Sequence, residues 1–152
     1  MDNFNVLNLE SLSEEEITSR IAELFKKASD GSALDETPAG LMYYADLLAR
    51  LQPYYIEMDV RLNQEYQTIK HENDTEEDIL TYQLRRDWPL EHPNEKAPSI
   101  DYFKGKAKKQ LKDGRNREFE VYAKMKRFKE NKDALVDEIN VLKKKLDSFK
   151  YD

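Results

Sequence analysis

Cysteine is absent from the 152 residues, which excludes disulfides, thiolate metal sites and cysteine nucleophiles and leads us to expect a reducing, cytosolic setting. Glycine and proline are scarce, at 4 and 5, so the turns of a strand-rich domain have few places to form. Apolar runs extend over only a few positions, which leaves no candidate membrane span, and Met1-Asp2-Asn3 does not open a basic, then apolar, signal segment. Histidine occurs only at His71 and His92, without the converging ligands that a zinc or general-base site needs. Phosphate-binding glycine loops and nucleophile-elbow patterns are missing too. The acidic runs Glu14-Glu15-Glu16 and Glu76-Glu77-Asp78 stand at expected helix starts, where carboxylates complement the helix dipole. These absences argue against an enzyme, and no metal or cofactor is expected.

Charge is abundant instead. Charged residues make up 37% of the chain against 39% hydrophobic, the balance of long helices washed by solvent. The net charge of -6 conceals a division: residues 1–103 carry 9 Lys/Arg and 22 Asp/Glu, whereas residues 104–152 carry 16 and 9. Two readings follow, a basic arm for a polyanion or two oppositely charged helices that attract each other on folding.

The chain reads as one helical domain in four stretches. Residues 1–36 hold a leader, with Val6, Leu7, Leu9 and Leu12 able to dock, and a short helix. Ser13 and Glu16 form a capping box for it, Ile17, Ile21, Leu24 and Ala28 its apolar stripe, and Asp30-Gly31 its end. Thr37-Pro38 starts a long helix over 37–70, whose seam is Leu41, Tyr44, Leu48, Leu51, Tyr55, Met58, Leu62 and Ile69, with Glu65 its single polar member. Pro53 should kink this helix without interrupting the seam. Residues 71–98, with Asn73-Asp74, Pro89, Pro93 and Pro98 as breakers, read as an irregular connector. A short helix through Ile79, Tyr82 and Arg86 fits inside it, and Trp88 serves as a local anchor.

Residues 99–150, free of proline, read as a second long helix. Its seam is Val121, Met125, Phe128, Lys132, Leu135, Ile139, Leu142, Leu146 and Phe149, traced backward through Glu118, Gly114, Leu111 and Ala107. Asp113-Gly114 is a point where it can loosen. Lys132 either specifies register or directs its ammonium outward. The expected fold is therefore all-α, a long antiparallel coiled-coil helical hairpin with a short N-terminal helix. Leu47, Tyr54, Tyr122 and Val136 widen the stripes, which leads us to expect a homo-oligomer.

The candidate nucleic-acid-binding residues are Lys104, Lys106, Lys108, Lys109, Lys112, Arg115, Arg117, Lys124, Lys126 and Arg127. Cations that neutralise phosphates, interleaved with aromatic faces at Tyr102, Phe103, Phe119, Tyr122 and Phe128, are what single-stranded nucleic acid requires. Helical spacing assigns Phe128 and Tyr122 to the core side rather than to base stacking.

A helix entered by Leu41-Met42-Tyr43-Tyr44-Ala45-Asp46-Leu47-Leu48, a break, and a Lys-rich return helix ending Ile139-Asn140-Val141-Leu142-Lys143-Lys144-Lys145-Leu146 resembles the small phage recombination mediators of the UvsY-like type. The resemblance covers roughly residues 38–70 and 99–149. It implies a homo-oligomer in the cytoplasm of a bacterial host that binds single-stranded DNA and helps to load a recombinase in place of single-strand-binding protein. The acidic overall balance and the connector around Trp88 depart from that picture. The alternative is a coiled-coil protein-interaction scaffold, or an acidic phage-encoded inhibitor of a host protein.

Overall fold

The structure, a computed structural model, describes residues 8–32 and 37–150, and all regular elements among them are helical. A single 3-10 turn at Leu9–Ser11 precedes α1 (Glu14–Ser32), α2 (Pro38–Glu91), α3 (Ile100–Gln110) and α4 (Lys112–Ser148). Among the described residues no helix is long and apolar enough to cross a membrane. Val6 and Leu7 of the leader, and much of the junction before Thr37, lie outside the described residues.

The hydroxyls of both start signals act as read. The Glu16 amide donates to Ser13 Oγ at 3.1 Å, and the Gly40 amide to Thr37 Oγ1 at 3.2 Å. Each hydroxyl satisfies an amide that the first helical turn leaves without a carbonyl partner. α2 continues through Pro53, as expected.

Three boundaries differ from the sequence reading. The supposed connector over 71–98 is helical as far as Glu91, so the separate short helix through Ile79, Tyr82 and Arg86 is part of α2. Continued in strict heptads, the α2 seam lands on Glu72 and Glu76, which look like solvent positions. The buried or half-buried positions instead step by fours from Ile69 to Asn73 to Glu77, and go on to Thr81, Leu84 and Trp88. The expected helix over 99–150 is interrupted at Leu111, before Gly114, although the Leu111 amide still bonds the Ala107 carbonyl at 3.0 Å. Phe149, placed on the seam by spacing, lies just past the end of α4 and is exposed.

Contacts also divide what reads as one domain into two compact units, Met1–Arg61 with Lys126–Asp152, and Leu62–Met125. In the first, Tyr44 bonds Glu138 and Tyr55 packs on Phe128, so α2 and α4 run in opposite directions there. Leu48, Leu51, Tyr55, Met58, Leu135, Ile139 and Leu142 are buried, while Leu41, Tyr44, Phe128 and Leu146 are half-buried. Fully burying a leucine contributes about 1.5–3 kcal/mol, which makes this stripe the main source of stability. Lys132 donates to Asp59 Oδ2 at 2.8 Å, so this charged position of the α4 seam is an ion pair between helices. α1 packs Ile17, Ile21 and Ala28 inward and sets Phe25 edge-on to Tyr55 at 6.2 Å. The Arg61 guanidinium holds the leader turn by donating to the Leu9 carbonyl at 3.0 Å.

Leu47 and Tyr54 are buried within this unit, and Arg20 of α1 reaches the Tyr54 hydroxyl at 3.5 Å. Tyr122 packs against Tyr66 in the second unit at 5.3 Å. Leu47 and Tyr54 thus have partners inside the chain, while Tyr122 stays 44% exposed and Val136 half-buried.

Burial first, and then the 2.8 Å hydrogen bond that its hydroxyl donates to Glu138 Oε1, push the Tyr44 phenol up from 10.0 to about 12. A raised phenol favours the protonated, folded form, so its contribution to stability is complete below about pH 10 and is lost as pH rises through about 12. Burial shifts Tyr55 in the same direction. Tyr44→Phe is expected to shrink, without abolishing, the fall in urea midpoint between about pH 9 and pH 11.5.

Candidate nucleic-acid interface

The second unit carries most of the candidate cations. Here Asn73 on α2 meets Gly114 and Glu118 on α4, and Tyr66 meets Tyr122, again in opposite directions. The turn after α2 is closed by packed rings together with backbone hydrogen bonds, the His92 amide donating to the Trp88 carbonyl at 2.9 Å and the Glu95 amide to the His92 carbonyl at 3.2 Å. Trp88 packs on His92, Tyr102 and Phe103 with centroids 3.9, 6.0 and 5.9 Å away, so it anchors the turn as the sequence suggested. Its indole nitrogen is buried without an acceptor among the described residues.

Phe103 and Ala107, one turn apart, are the buried residues of α3 and fix which side faces inward. Successive helical residues are about 100° apart, so Lys104 and Lys108 fall on one flank, Lys106 on the other and Lys109 towards the outside. All four are exposed, as is Lys112 at the start of α4. None of them enters an ion pair among those the described residues make. Lys106 lies 5.3 Å from the Tyr102 ring centroid, a cation–π contact. Lys108 and Lys109 in the last turn also complement the α3 dipole.

The remaining candidates divide. Arg115 is not available to a ligand: its guanidinium donates to Asp74 Oδ1 at 2.7 Å and to Glu77 Oε2 and Glu118 Oε1 at 2.8 Å each, with 21% of the side chain exposed. The hydrogen bond to Glu77, ahead of those to Asp74 and Glu118, holds the guanidinium still more firmly protonated than usual. Arg117 is exposed, and Lys124, also exposed, has an interaction of its own. Lys126 and Arg127 are exposed on the α4 stretch that belongs to the first unit.

Three of the five aromatic candidates are occupied. Phe103 is core, Tyr122 packs on Tyr66, and Phe128 on Tyr55. Tyr102 is engaged by Trp88 and Lys106. Phe119 is 64% exposed.

The Arg115 network was not read from the sequence. A Cβ on Gly114 would lie 2.7 Å from Asn73 Oδ1, so the missing side chain lets Asn73 approach and donate to the Gly114 carbonyl at 2.9 Å. Beside it, Thr81 Oγ1 donates to the Glu77 carbonyl at 2.7 Å. The legible signal was a seam position held by glycine next to an arginine, opposite the acidic run that was assigned to a helix start.

Compared with protein-family models, with curated proteins and with solved structures, the chain finds no match.

Arg115→Met is expected to destabilise the chain by about 2–4 kcal/mol, because Glu77 and Glu118, both buried, then lose the cation between them. Chemical denaturation measures this, and a change under about 0.5 kcal/mol would show the network to be incidental.

Proposed function

We propose that this chain is a non-enzymatic accessory protein of phage-type recombination or replication. It holds single-stranded DNA on the outward face of α3 and the start of α4 and assists recombinase loading. The observation that carries this reading is the exposure of Lys104, Lys106, Lys108 and Lys109 on α3, whose buried residues are Phe103 and Ala107, and of Lys112 at the start of α4. Ammonium groups left in water beside one another repel, and a polyanion relieves that repulsion while releasing its own counterions. The oppositely running contacts of α2 and α4 support an antiparallel coiled-coil hairpin. A recombinase or a single-strand-binding protein is the partner that this role implies, in the cytoplasm of a bacterial host.

A second reading, a protein-interaction scaffold, has its own observation. Ile79, Tyr82 and Leu90 recur at three and eight residues on the side of α2 away from Glu77, Thr81 and Trp88, and Leu90 is 81% exposed. This stripe, apolar but for Arg86 between Tyr82 and Leu90, suits a further helix on the back of a paired one, and a second copy of this chain would supply one. Self-association therefore belongs to this face in either reading. Solution mass at micromolar concentration tests it.

Oligonucleotide affinity is expected to fall with salt at a slope of about -0.7 per phosphate neutralised. Replacing Lys104, Lys108 and Lys112 together by Gln, which preserves helix propensity, should reduce that slope by about 2 and weaken binding to all sequences alike. Fluorescence anisotropy at several salt concentrations reads both. Absence of binding by the wild type at low salt would transfer the assignment to the scaffold reading.

A further inference from the structure

We infer that Phe119 is a base-stacking platform that makes this cationic face select single strands over duplex, an inference that rests on the nucleic-acid reading above. Of the aromatic residues interleaved with the basic ones, the structure buries Phe103, half-buries Phe128 against Tyr55, pairs Tyr122 with Tyr66 and sets Tyr102 against Trp88 and Lys106, the last two tyrosines staying 44% and 43% exposed. Phe119 alone among them has no ring or cation against it among the described residues. At 64% exposure it leaves a larger share of its surface in water than Tyr122, 44% exposed three residues on along the same helix. Its neighbours explain the position. Lys112, Asn116, Phe119 and Ala123 recur at four, three and four, which puts them on one side of α4. Asn116 offers an amide and Ala123 a methyl group on one side of the ring, while Arg115, held in its carboxylate network, and Tyr122, paired with Tyr66, flank the other. Glu118 points into the Arg115 network, and Glu120 lies about 100° around the helix.

Lys112 lies about 10 Å along the axis from Phe119, two turns away, so a phosphate on the ammonium leaves a base of the same short stretch within reach of the ring. Every base has a π face, hence such stacking is indifferent to sequence. In a duplex those faces are already stacked on one another, and the ring gains nothing. The lysines alone attract both forms of nucleic acid. The ring supplies the preference.

Phe119→Ala, Phe119→Leu and Phe119→Trp test this with oligothymidylate and a duplex of equal length, and circular dichroism verifies that each variant keeps its helix. Ala and Leu should weaken oligothymidylate binding about tenfold with the salt slope unchanged, and leave duplex binding as it was. Trp should retain affinity and show fluorescence quenching on binding beyond that of Trp88 in the wild type. If the Ala variant binds oligothymidylate as tightly as the wild type, or loses duplex and single-strand affinity equally, the platform is refuted while the lysine face stands. If the wild type binds neither, both are refuted.

Discussion

A helix with 3.6 residues per turn cannot keep a seven-residue stripe on one side unless it supercoils or the stripe changes period. In α2 the stripe changes period. As far as Ile69 it alternates threes and fours with side chains that are apolar except for Glu65, and then it steps by fours onto Asn73 and Glu77. Those positions face inward whether or not they are apolar, so α4 has to answer them. It does so with the bare backbone of Gly114, which Asn73 reaches, and with Arg115, which binds three carboxylates. A charge pair in such a place is seldom a large net source of stability, because desolvation offsets most of the attraction. What it does supply is a single satisfied arrangement, since sliding α4 along α2 by one turn leaves the guanidinium and two buried carboxylates without partners.

The same arrangement decides what the charge asymmetry means. Residues 62–125 carry 12 Lys/Arg and 13 Asp/Glu, so this unit is nearly neutral, yet its basic residues crowd onto α3 and the start of α4. Attraction between oppositely charged helices predicts many cross-helix pairs there. Arg115 makes such pairs with Asp74 and Glu77 and Lys124 has an interaction of its own, whereas the α3 lysines face water. Folding therefore engages Arg115 between the helices and leaves the row of lysines on α3 exposed, which is the physical ground for looking to an external polyanion.

Helix content, the caps at Ser13 and Thr37, and the seams through Leu48 to Ile69 and Leu135 to Leu142 were legible in the sequence. They depend on neighbours within a turn or two, and hydrogen-bond geometry and apolar periodicity act at that range. So was the backward trace through Glu118, Gly114, Leu111 and Ala107, all buried or half-buried. The helical course of 71–91 was not legible, because polar side chains that are satisfied by another helix look, one helix at a time, like the breakers of a loop.

The sequence by itself determined that this chain is helical, where two of its helices begin, which face of each is greasy and where its cations gather, because these follow from backbone hydrogen bonding and the 3.6-residue repeat. Only tertiary structure decided which cations are spent and which remain. Arg115 and Arg117 are two residues apart and chemically the same, and about 200° of helical rotation puts the first between Asp74, Glu77 and Glu118 and leaves the second in water.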